Sequence, residues 1–262
     1  MTVTLILSGI VAPALLWIGY FYYKDRFQPE PYLHMGLTYL MGLAAGYLCF
    51  NSYALLPLIN LPEDPSFLMD DHPFLFLLYC LGVVGILEEL LKFLPFILVV
   101  VRFKAFDEEI DGMIYASVIA LGFASYENFH YLPMLNGFTQ VGRAIASPLT
   151  HTIFSSLWGH LVGTAIFFKR PRRKIRNAAI IGILIASMLH GFFDFFTISP
   201  ILRILAALVI LAAWIWRIRL MELLHKKRTR EILNKTTTLT SRDAADAAAA
   251  SNPDTGGAGR QD

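Results

Sequence analysis

Long apolar runs separated by short polar segments dominate the chain. Each run is long enough to cross a hydrocarbon layer of about 30 Å as an α-helix, at 1.5 Å per residue. The pattern therefore predicts an all-α, polytopic transmembrane helical bundle of about seven spans. The predicted spans are residues 5–23, 32–50, 74–101, 112–132, 146–168, 175–198 and 200–220.

The third run carries three charged residues near its middle, Glu88, Glu89 and Lys92. Charges at this depth cost a few kcal/mol each and are rare unless they face the protein interior or a water-filled cavity. Glu88 and Lys92 lie one turn apart and can pair, while Glu89 is rotated by about 100° toward a neighbouring helix. One carboxylate can then be held by an ion pair while the other takes part in a reaction. A purely structural ion pair is the alternative, which the second acid disfavours.

The next three runs add further polar groups inside apolar sequence. Glu127 lies near the end of the fourth run and His151 near the start of the fifth. In the sixth, His190 and Asp194 are four residues apart, so the carboxylate can orient the imidazole. His160 falls about 180° round its helix from His151, so both histidines cannot line one site. Glu127, His151, His190 and Asp194, together with Glu88, form one predicted site.

Composition supports a membrane protein. Of the 262 residues 56% are hydrophobic and 16% are charged, and the mean hydropathy is +0.54, well above the values of ordinary soluble domains. The formal net charge of +2 gives no case for a nucleic-acid partner. Residues 1–221 are predicted to form an integral membrane domain with its catalytic core at 74–198. Residues 222–262 are basic, then low in complexity, and are predicted to be a disordered tail.

Lysine and arginine cluster in every second connection, near residues 24–26, 102–104, 169–176 and 217–230. Positively charged connections stay on the cytosolic side of a membrane. The alternation predicts a multi-pass protein of the cell membrane with its N-terminus outside and its C-terminus in the cytosol. Glu127, His151 and Asp194 then lie in the outer half of the bilayer.

The predicted site has the groups needed to activate water. A glutamate can act as general base, and a second acid or a histidine can bind a metal or polarise a carbonyl group. The chain contains no HExxH, GxSxG or paired-aspartate signature, so the soluble metalloprotease and serine hydrolase templates do not apply.

The same residues resemble the PrsW family of bacterial intramembrane proteases. The resemblance rests on the order and spacing of Glu88-Glu89-x-x-Lys92, the acidic segment 106–112, Phe123-x-x-x-Glu127-Asn128, His151 and His190-x-x-x-Asp194. It implies cleavage of a membrane-anchored protein substrate such as an anti-sigma factor. It also implies distant kinship with the CAAX-prenyl-protease and bacteriocin-immunity superfamily, whose pattern is EExxxR, FxxxH and HxxxN. The chain departs from that pattern at Lys92, Glu127 and Asp194, which leaves open a metal-dependent or a metal-free mechanism.

In the metal-dependent alternative, zinc is bound by His151, His190 and Glu127, Glu88 is the base on the bound water, and Asp194 supports a histidine. The positive charge of Lys92 disfavours a dication in this site, because the two cations repel each other. In the metal-free alternative, His190 and Asp194 stabilise the oxyanion. Glu89 and Lys92 belong to the catalytic group in both.

Two other classes of protein use intramembrane acids and histidines. A transporter is one, although the internal repeats typical of transporters are not evident in the sequence. A non-catalytic immunity or scaffold protein with the same fold is the other, because a fold alone does not determine function.

Overall fold

The computed structural model describes residue 4 and residues 7–24, 28–198 and 201–250 of the chain. In this part every regular element is helical, which confirms the predicted all-α fold. The long helices are α1 (Ala12–Lys24, preceded by the π-helical turn Leu7–Val11), α2 (Tyr32–Tyr53), α3 (Pro73–Tyr79 and Gly85–Leu98, joined by the π-helical segment Cys80–Val84), α4 (Asp111–Tyr131), α5 (Gly137–Phe167), α6 (Arg172–Ile198) and α7 (Arg203–Ala250). Short helical turns occur at Leu56–Ile59, Leu68–Asp71, Val100–Arg102 and Leu132–Met134.

Four helices in the described residues are long and apolar enough to cross a membrane, which confirms a multi-pass membrane protein. These are Tyr32–Tyr53, Pro73–Arg102, Arg172–Ile198 and Arg203–Leu224. The other three predicted spans also form helices, α1, α4 and α5, but none of them combines that length with that apolarity. The count of seven spans and the orientation of the termini stay predictions.

The weaker apolar character of α4 has a physical reason. Every residue from Asp111 to Ser125 in this helix is buried by protein. A helix that is surrounded by other helices has no lipid-facing surface that must be apolar, so it can carry serine, tyrosine and glutamate. On two sides α4 packs against α2 and α5; α6 in turn packs against α5 and α3. The buried position of α4 therefore explains its lower apolarity.

Glycine allows α2 and α4 to touch backbone to backbone. A Cβ atom added to Gly42 would lie 2.1 Å from the carbonyl oxygen of Ile119, and one added to Gly122 would lie 2.1 Å from that of Tyr39. Gly42 and Gly46 are small residues one turn apart, which is the spacing that allows such close helix contact. A second close contact joins α4 and α5, because Gly159 and Gly163 approach Gly112.

The π-helical segment of α3 directly precedes the turn that carries Glu88 and Glu89. Such segments add one residue per turn and are frequent at functional sites. Here the helices α3 and α6 also approach closely, since a Cβ on Gly191 would lie 2.5 Å from the carbonyl oxygen of Cys80. His190 is the neighbour of Gly191, so this contact brings its imidazole to the acids of α3.

The chain divides into two compact units, residues 1–217 and residues 218–262. Within the second unit the helix α7 continues to Ala250. That the tail from 222 is disordered in solution stays a prediction, and residues 251–262 lie outside the described part. The start of the first predicted span, residues 25–27 and residues 199–200 also lie outside it.

We expect Gly42→Ala to lower the free energy of unfolding by about 1–3 kcal/mol, because the added methyl group overpacks a backbone contact between α2 and α4. Gly36→Ala is the matched control on the same helix, since nothing lies within 4 Å of its Cβ position. That control should be neutral or slightly stabilising, because alanine is the better helix former. Unfolding of the purified protein in detergent measures both. Equal stability of the two variants would show that α2 and α4 do not touch at Gly42.

Candidate active site

The polar residues singled out in the sequence meet inside the bundle. Five of them line one cavity of about 620 Å³: Glu88, Glu127, His151, His190 and Asp194. The other two, Glu89 and Lys92, lie behind the cavity wall and are fully buried. The helices α3, α4, α5 and α6 supply these seven residues.

Four donors hold the carboxylate of Glu89. Its Oε1 accepts hydrogen bonds from Lys92 Nζ at 2.9 Å and from His190 Nδ1 at 3.0 Å. Its Oε2 accepts from Ser155 Oγ at 2.8 Å and from Trp158 Nε1 at 2.9 Å. With both oxygens engaged and no exposed surface, Glu89 ties α3 to α5 and α6. It also fixes the ring of His190, leaving Nε2 to face the cavity.

Lys92 occupies the centre of the cluster. Its Nζ lies 2.8 Å from His151 Nδ1, 2.9 Å from Glu89 Oε1 and 3.3 Å from Glu88 Oε2. The ammonium group also lies 4.1 Å from the ring centroid of Phe123, a distance typical of a cation–π contact. An ammonium group has three N–H donors and no acceptor. All three donors of this fully buried cation therefore have partners.

The partner of Lys92 determines which nitrogen of His151 carries the proton. Because an ammonium group only donates, Nδ1 of His151 accepts and Nε2 carries the hydrogen. That Nε2 donates to Glu127 Oε2 at 2.8 Å. Glu127 also pairs with Arg143 at 3.5 Å, and the guanidinium of Arg143 lies 4.3 Å from the ring centroid of Tyr131. These contacts connect the buried Lys92, through His151, with Glu127 and Arg143, which line the cavity.

Glu88 is the acid that faces the cavity at the centre of the site. Its Oε1 accepts a hydrogen bond from the hydroxyl of Tyr53 at 3.2 Å. Its Oε2 lies 3.4 Å from His190 Nε2 and 3.9 Å from His151 Nδ1. Glu88 is 4% exposed. Of the two adjacent acids, Glu89 is held and Glu88 is left next to two histidine nitrogens and open space.

Asp194 lies on the same cavity wall but does not hold His190. The distance from its Oδ2 to His190 Nε2 is 3.7 Å, beyond a direct hydrogen bond. The sequence predicts that Asp194 orients the ring, whereas the structure shows Glu89 in that position through Nδ1. Asp194 is left partly exposed and able to contact a molecule in the cavity.

Three residues of the site have the donors that a metal ion requires. Within the described residues, the ligand atoms of Glu88, His151 and His190 lie within 4.8 Å of one another. Two imidazole nitrogens and one carboxylate oxygen are a usual set for catalytic zinc, which keeps its fourth position open. The donor types therefore fit a metal, but Lys92 Nζ already contacts Nδ1 of His151. Binding requires Lys92 to release that nitrogen.

The predicted ligand set differs from this trio in one member. The sequence predicts Glu127 beside His151 and His190, whereas the structure brings Glu88 to them. Glu127 contacts the other ring nitrogen of His151, at 2.8 Å. In this arrangement Glu127 orients His151 rather than joining the group of possible metal ligands.

Four residues of the site are absent from the predicted set: Tyr53, Arg143, Ser155 and Trp158. Two of them had a signal in the sequence, since Ser155 and Trp158 follow His151 by four and seven residues on one face of α5. Tyr53 reaches the site from the end of α2, and no local pattern connects it with Glu88. Ser155 is fully buried and donates to Glu89 Oε2.

Fold and site together define a polytopic membrane protein with a buried centre of carboxylates, histidines and one lysine. Comparison with known proteins gives the family. The profile described as "PrsW family intramembrane metalloprotease" matches residues 30–218. This chain belongs to the PrsW family of intramembrane proteases. The resemblance of its motifs to that family is thereby confirmed.

Several curated relatives carry the name Protease PrsW. The protein from Clostridioides difficile (strain 630) is 30% identical over 224 residues, which cover 84% of this chain and 90% of the relative. That from Geobacillus kaustophilus (strain HTA426) is 29% identical over 198 residues, covering 74% and 80%. That from Bacillus subtilis (strain 168) is 28% identical over 191 residues, covering 72% and 81%. No solved structure is significantly similar to the chain.

We expect Glu89→Ala to lower the free energy of unfolding by about 3–5 kcal/mol, because it leaves the buried ammonium of Lys92 without its nearest carboxylate. It also leaves the donors of Ser155 and Trp158 unpaired. The matched control is Glu88→Ala, which should cost clearly less because that side chain borders the cavity and water can replace it. Unfolding in detergent is the measurement. A Glu88→Ala variant as unstable as Glu89→Ala would contradict the division between a held and a free acid.

Proposed function

We propose that the chain is an endopeptidase that hydrolyses a peptide bond in or near the transmembrane segment of a membrane-anchored substrate, such as an anti-sigma factor. Water activated by Glu88 would be the nucleophile. The observation that carries this proposal is the single cavity onto which Glu88, His190 and Asp194 all open. Membership of a protease family favours this function over a transporter or a non-catalytic scaffold.

Glu88 has the position of a general base. A water molecule in the cavity can donate a hydrogen bond to its Oε2, the oxygen that faces His190 Nε2 at 3.4 Å. The other oxygen is held by the Tyr53 hydroxyl at 3.2 Å, so the carboxylate cannot turn away from the cavity. A base that is held in one orientation within hydrogen-bond reach contributes about 10²–10⁴-fold to the rate of such a reaction.

His190 is placed to serve the substrate's carbonyl oxygen and the leaving amine. Glu89 accepts from Nδ1, so Nε2 points at Glu88 and the cavity. A protonated Nε2 donates to the oxyanion as water attacks the carbonyl carbon, and then gives its proton to the leaving nitrogen. Asp194, 3.7 Å from Nε2, can accept a hydrogen bond from the substrate backbone next to the cleaved bond.

Lys92 supplies fixed positive charge beside the reacting groups. Its ammonium lies 3.3 Å from Glu88 and cannot be hydrated, because it is fully buried. In a water-excluded site a fixed charge of this kind stabilises negative charge that develops in the transition state. The contacts of Lys92 with His151 and of His151 with Glu127 hold this charge in place.

In the metal-dependent alternative to this mechanism, zinc would be held by the trio of Glu88, His151 and His190. Bound there, it would polarise the substrate carbonyl and make bound water more acidic. Glu88 would then be a ligand, and proton transfer would fall to another carboxylate of the cavity, Glu127 or Asp194. The donor set and the description of the family as a metalloprotease support zinc.

The cavity suggests from which side a substrate enters. Besides the catalytic groups it is lined by Glu63, Asp64 and Ser66, in the segment between α2 and α3. The positive-inside pattern predicts that this segment is extracytosolic, because residues 51–73 contain no Lys or Arg. The proposed cleavage position is therefore in the outer half of the substrate's transmembrane segment.

We expect Glu88→Gln to lower the cleavage rate by about 10²–10⁴-fold with little change in folding, because the amide has the same shape but cannot take a proton. Glu63→Gln is the matched control, an acid that lines the same cavity outside the catalytic cluster. It should cleave within a few-fold of the wild type. The measurement is cleavage of a library of single-span membrane proteins by the purified enzyme. Near-normal cleavage by Glu88→Gln would contradict the assigned base.

In the metal-dependent alternative, the purified wild-type protein should contain about one equivalent of zinc and His190→Ala should lose it, because that change removes one of three ligands. Chelation should abolish cleavage and zinc should restore it. Elemental analysis beside the cleavage assay measures both effects, and His160→Ala is the control, a histidine outside the cavity. Full activity after exhaustive chelation would contradict zinc and leave Lys92 as the catalytic cation.

A further inference from the structure

The connection between α5 and α6 carries a dense positive charge that the proposed chemistry does not use. Six basic residues occur between positions 169 and 176, and all are exposed: Lys169, Arg170, Arg172, Arg173, Lys174 and Arg176. None of the salt bridges found in the described part of the chain involves any of them. The charge of this basic loop, residues 169–176, is thus left for a partner outside the bundle.

The backbone of the basic loop is held in a tight turn. Lys169 adopts a left-handed conformation with φ of 48°, and its N–H donates to Ile166 O at 2.8 Å. The next N–H, of Arg170, donates to Ala165 O at 2.9 Å, and that of Lys174 donates to Pro171 O at 2.8 Å. These bonds fix the positions from which the basic side chains extend.

The start of α6 lacks the usual electrostatic compensation. A helix N-terminus carries partial positive charge and unpaired N–H groups, so acidic residues are favoured there and cations are not. The first turn of α6 has no acidic residue, and four of the six cations lie in its first five residues, 172–176. An anion from outside would relieve the repulsion among these cations.

The neighbouring side chains place the basic loop at the level of lipid headgroups. Phe167 and Phe168, just before it, are exposed, as are Ile180 and Ile181 about one turn after it. The helix α6 is one of the four helices able to cross a membrane. Exposed apolar side chains on both flanks face lipid, so the cations between them lie beside the phosphate groups of one leaflet.

We propose that the basic loop binds the headgroups of anionic phospholipids. Clusters of four to eight cations next to a membrane span attract anionic lipids in this way. The loop joins the helix of His151 to the helix of His190. Lipid bound here holds the ends of both helices at the membrane surface. The inference concerns lipid binding alone and stands or falls separately from the proposed proteolysis.

The test is amide hydrogen exchange of the full-length protein in nanodiscs. Residues 168–176 should exchange roughly tenfold more slowly with phosphatidylglycerol present than in phosphatidylcholine alone, and added salt should remove the difference. Residues 54–61, which contain no Lys or Arg, are the internal control and should not change. Adding inorganic phosphate to phosphatidylcholine nanodiscs should not protect the loop.

Two charge-matched variants locate the effect. Changing Arg170, Arg172, Arg173 and Lys174 to Gln should abolish the protection, with the rest of the protein exchanging as in the wild type. Changing Arg219, Lys226, Lys227 and Arg230 to Gln removes the same charge from α7 and should leave the protection intact. Equal exchange in both lipids, equal protection by inorganic phosphate, or equal loss in the two variants would each overturn the proposal.

Discussion

The interaction on which the site depends is the burial of the Lys92 ammonium among Glu89, Glu88 and His151. A cation in the interior of a membrane protein costs several kcal/mol unless each of its donors has a partner. The partners of this cation come from two helices, α3 and α5, so neither helix can move without exposing an unpaired charge. The close approach of α3 and α6 at Gly191 adds the third helix. The packing of α3, α5 and α6 therefore depends on the buried charge of Lys92.

The same constraint divides the work of two adjacent acids. Successive residues of a helix point about 100° apart, so Glu88 and Glu89 cannot face the same surroundings. Glu89 points toward Ser155 and Trp158 and is fully bonded; Glu88 points toward the cavity. Because Glu89 satisfies most of the charge of Lys92, Glu88 has capacity left for water. The bonding of Glu89 thus leaves its neighbour oriented toward the cavity.

Much of the site could be predicted from the sequence, because a charged residue within an apolar run can be recognised without knowing which residues it contacts. The spacing did not determine which of these side chains contact one another. Lys92 can reach a residue three or four positions earlier, and the structure shows 2.9 Å to Glu89 against 3.3 Å to Glu88. The place of Glu88 beside both histidines depends on the path of α3, including its π-helical segment, and on the approach of α6. The position of Tyr53 beside Glu88 depends on where α2 ends, about ten residues beyond its close contact with α4 at Gly42.

The position of Lys92 also decides what a metal ion would change. Its ammonium and a metal would both use Nδ1 of His151, and two positive charges at that distance repel strongly in a dry interior. The centre thus has room for one cation between Glu88 and His151. With the ammonium there, Glu88 Oε2 accepts from Lys92 at 3.3 Å and still borders the cavity, where it can also accept a hydrogen bond from water. With a dication there, Glu88 would be a ligand, and Lys92 would keep Glu89 Oε1, at 2.9 Å, as its partner. The second acid of the pair is what makes either arrangement electrostatically possible.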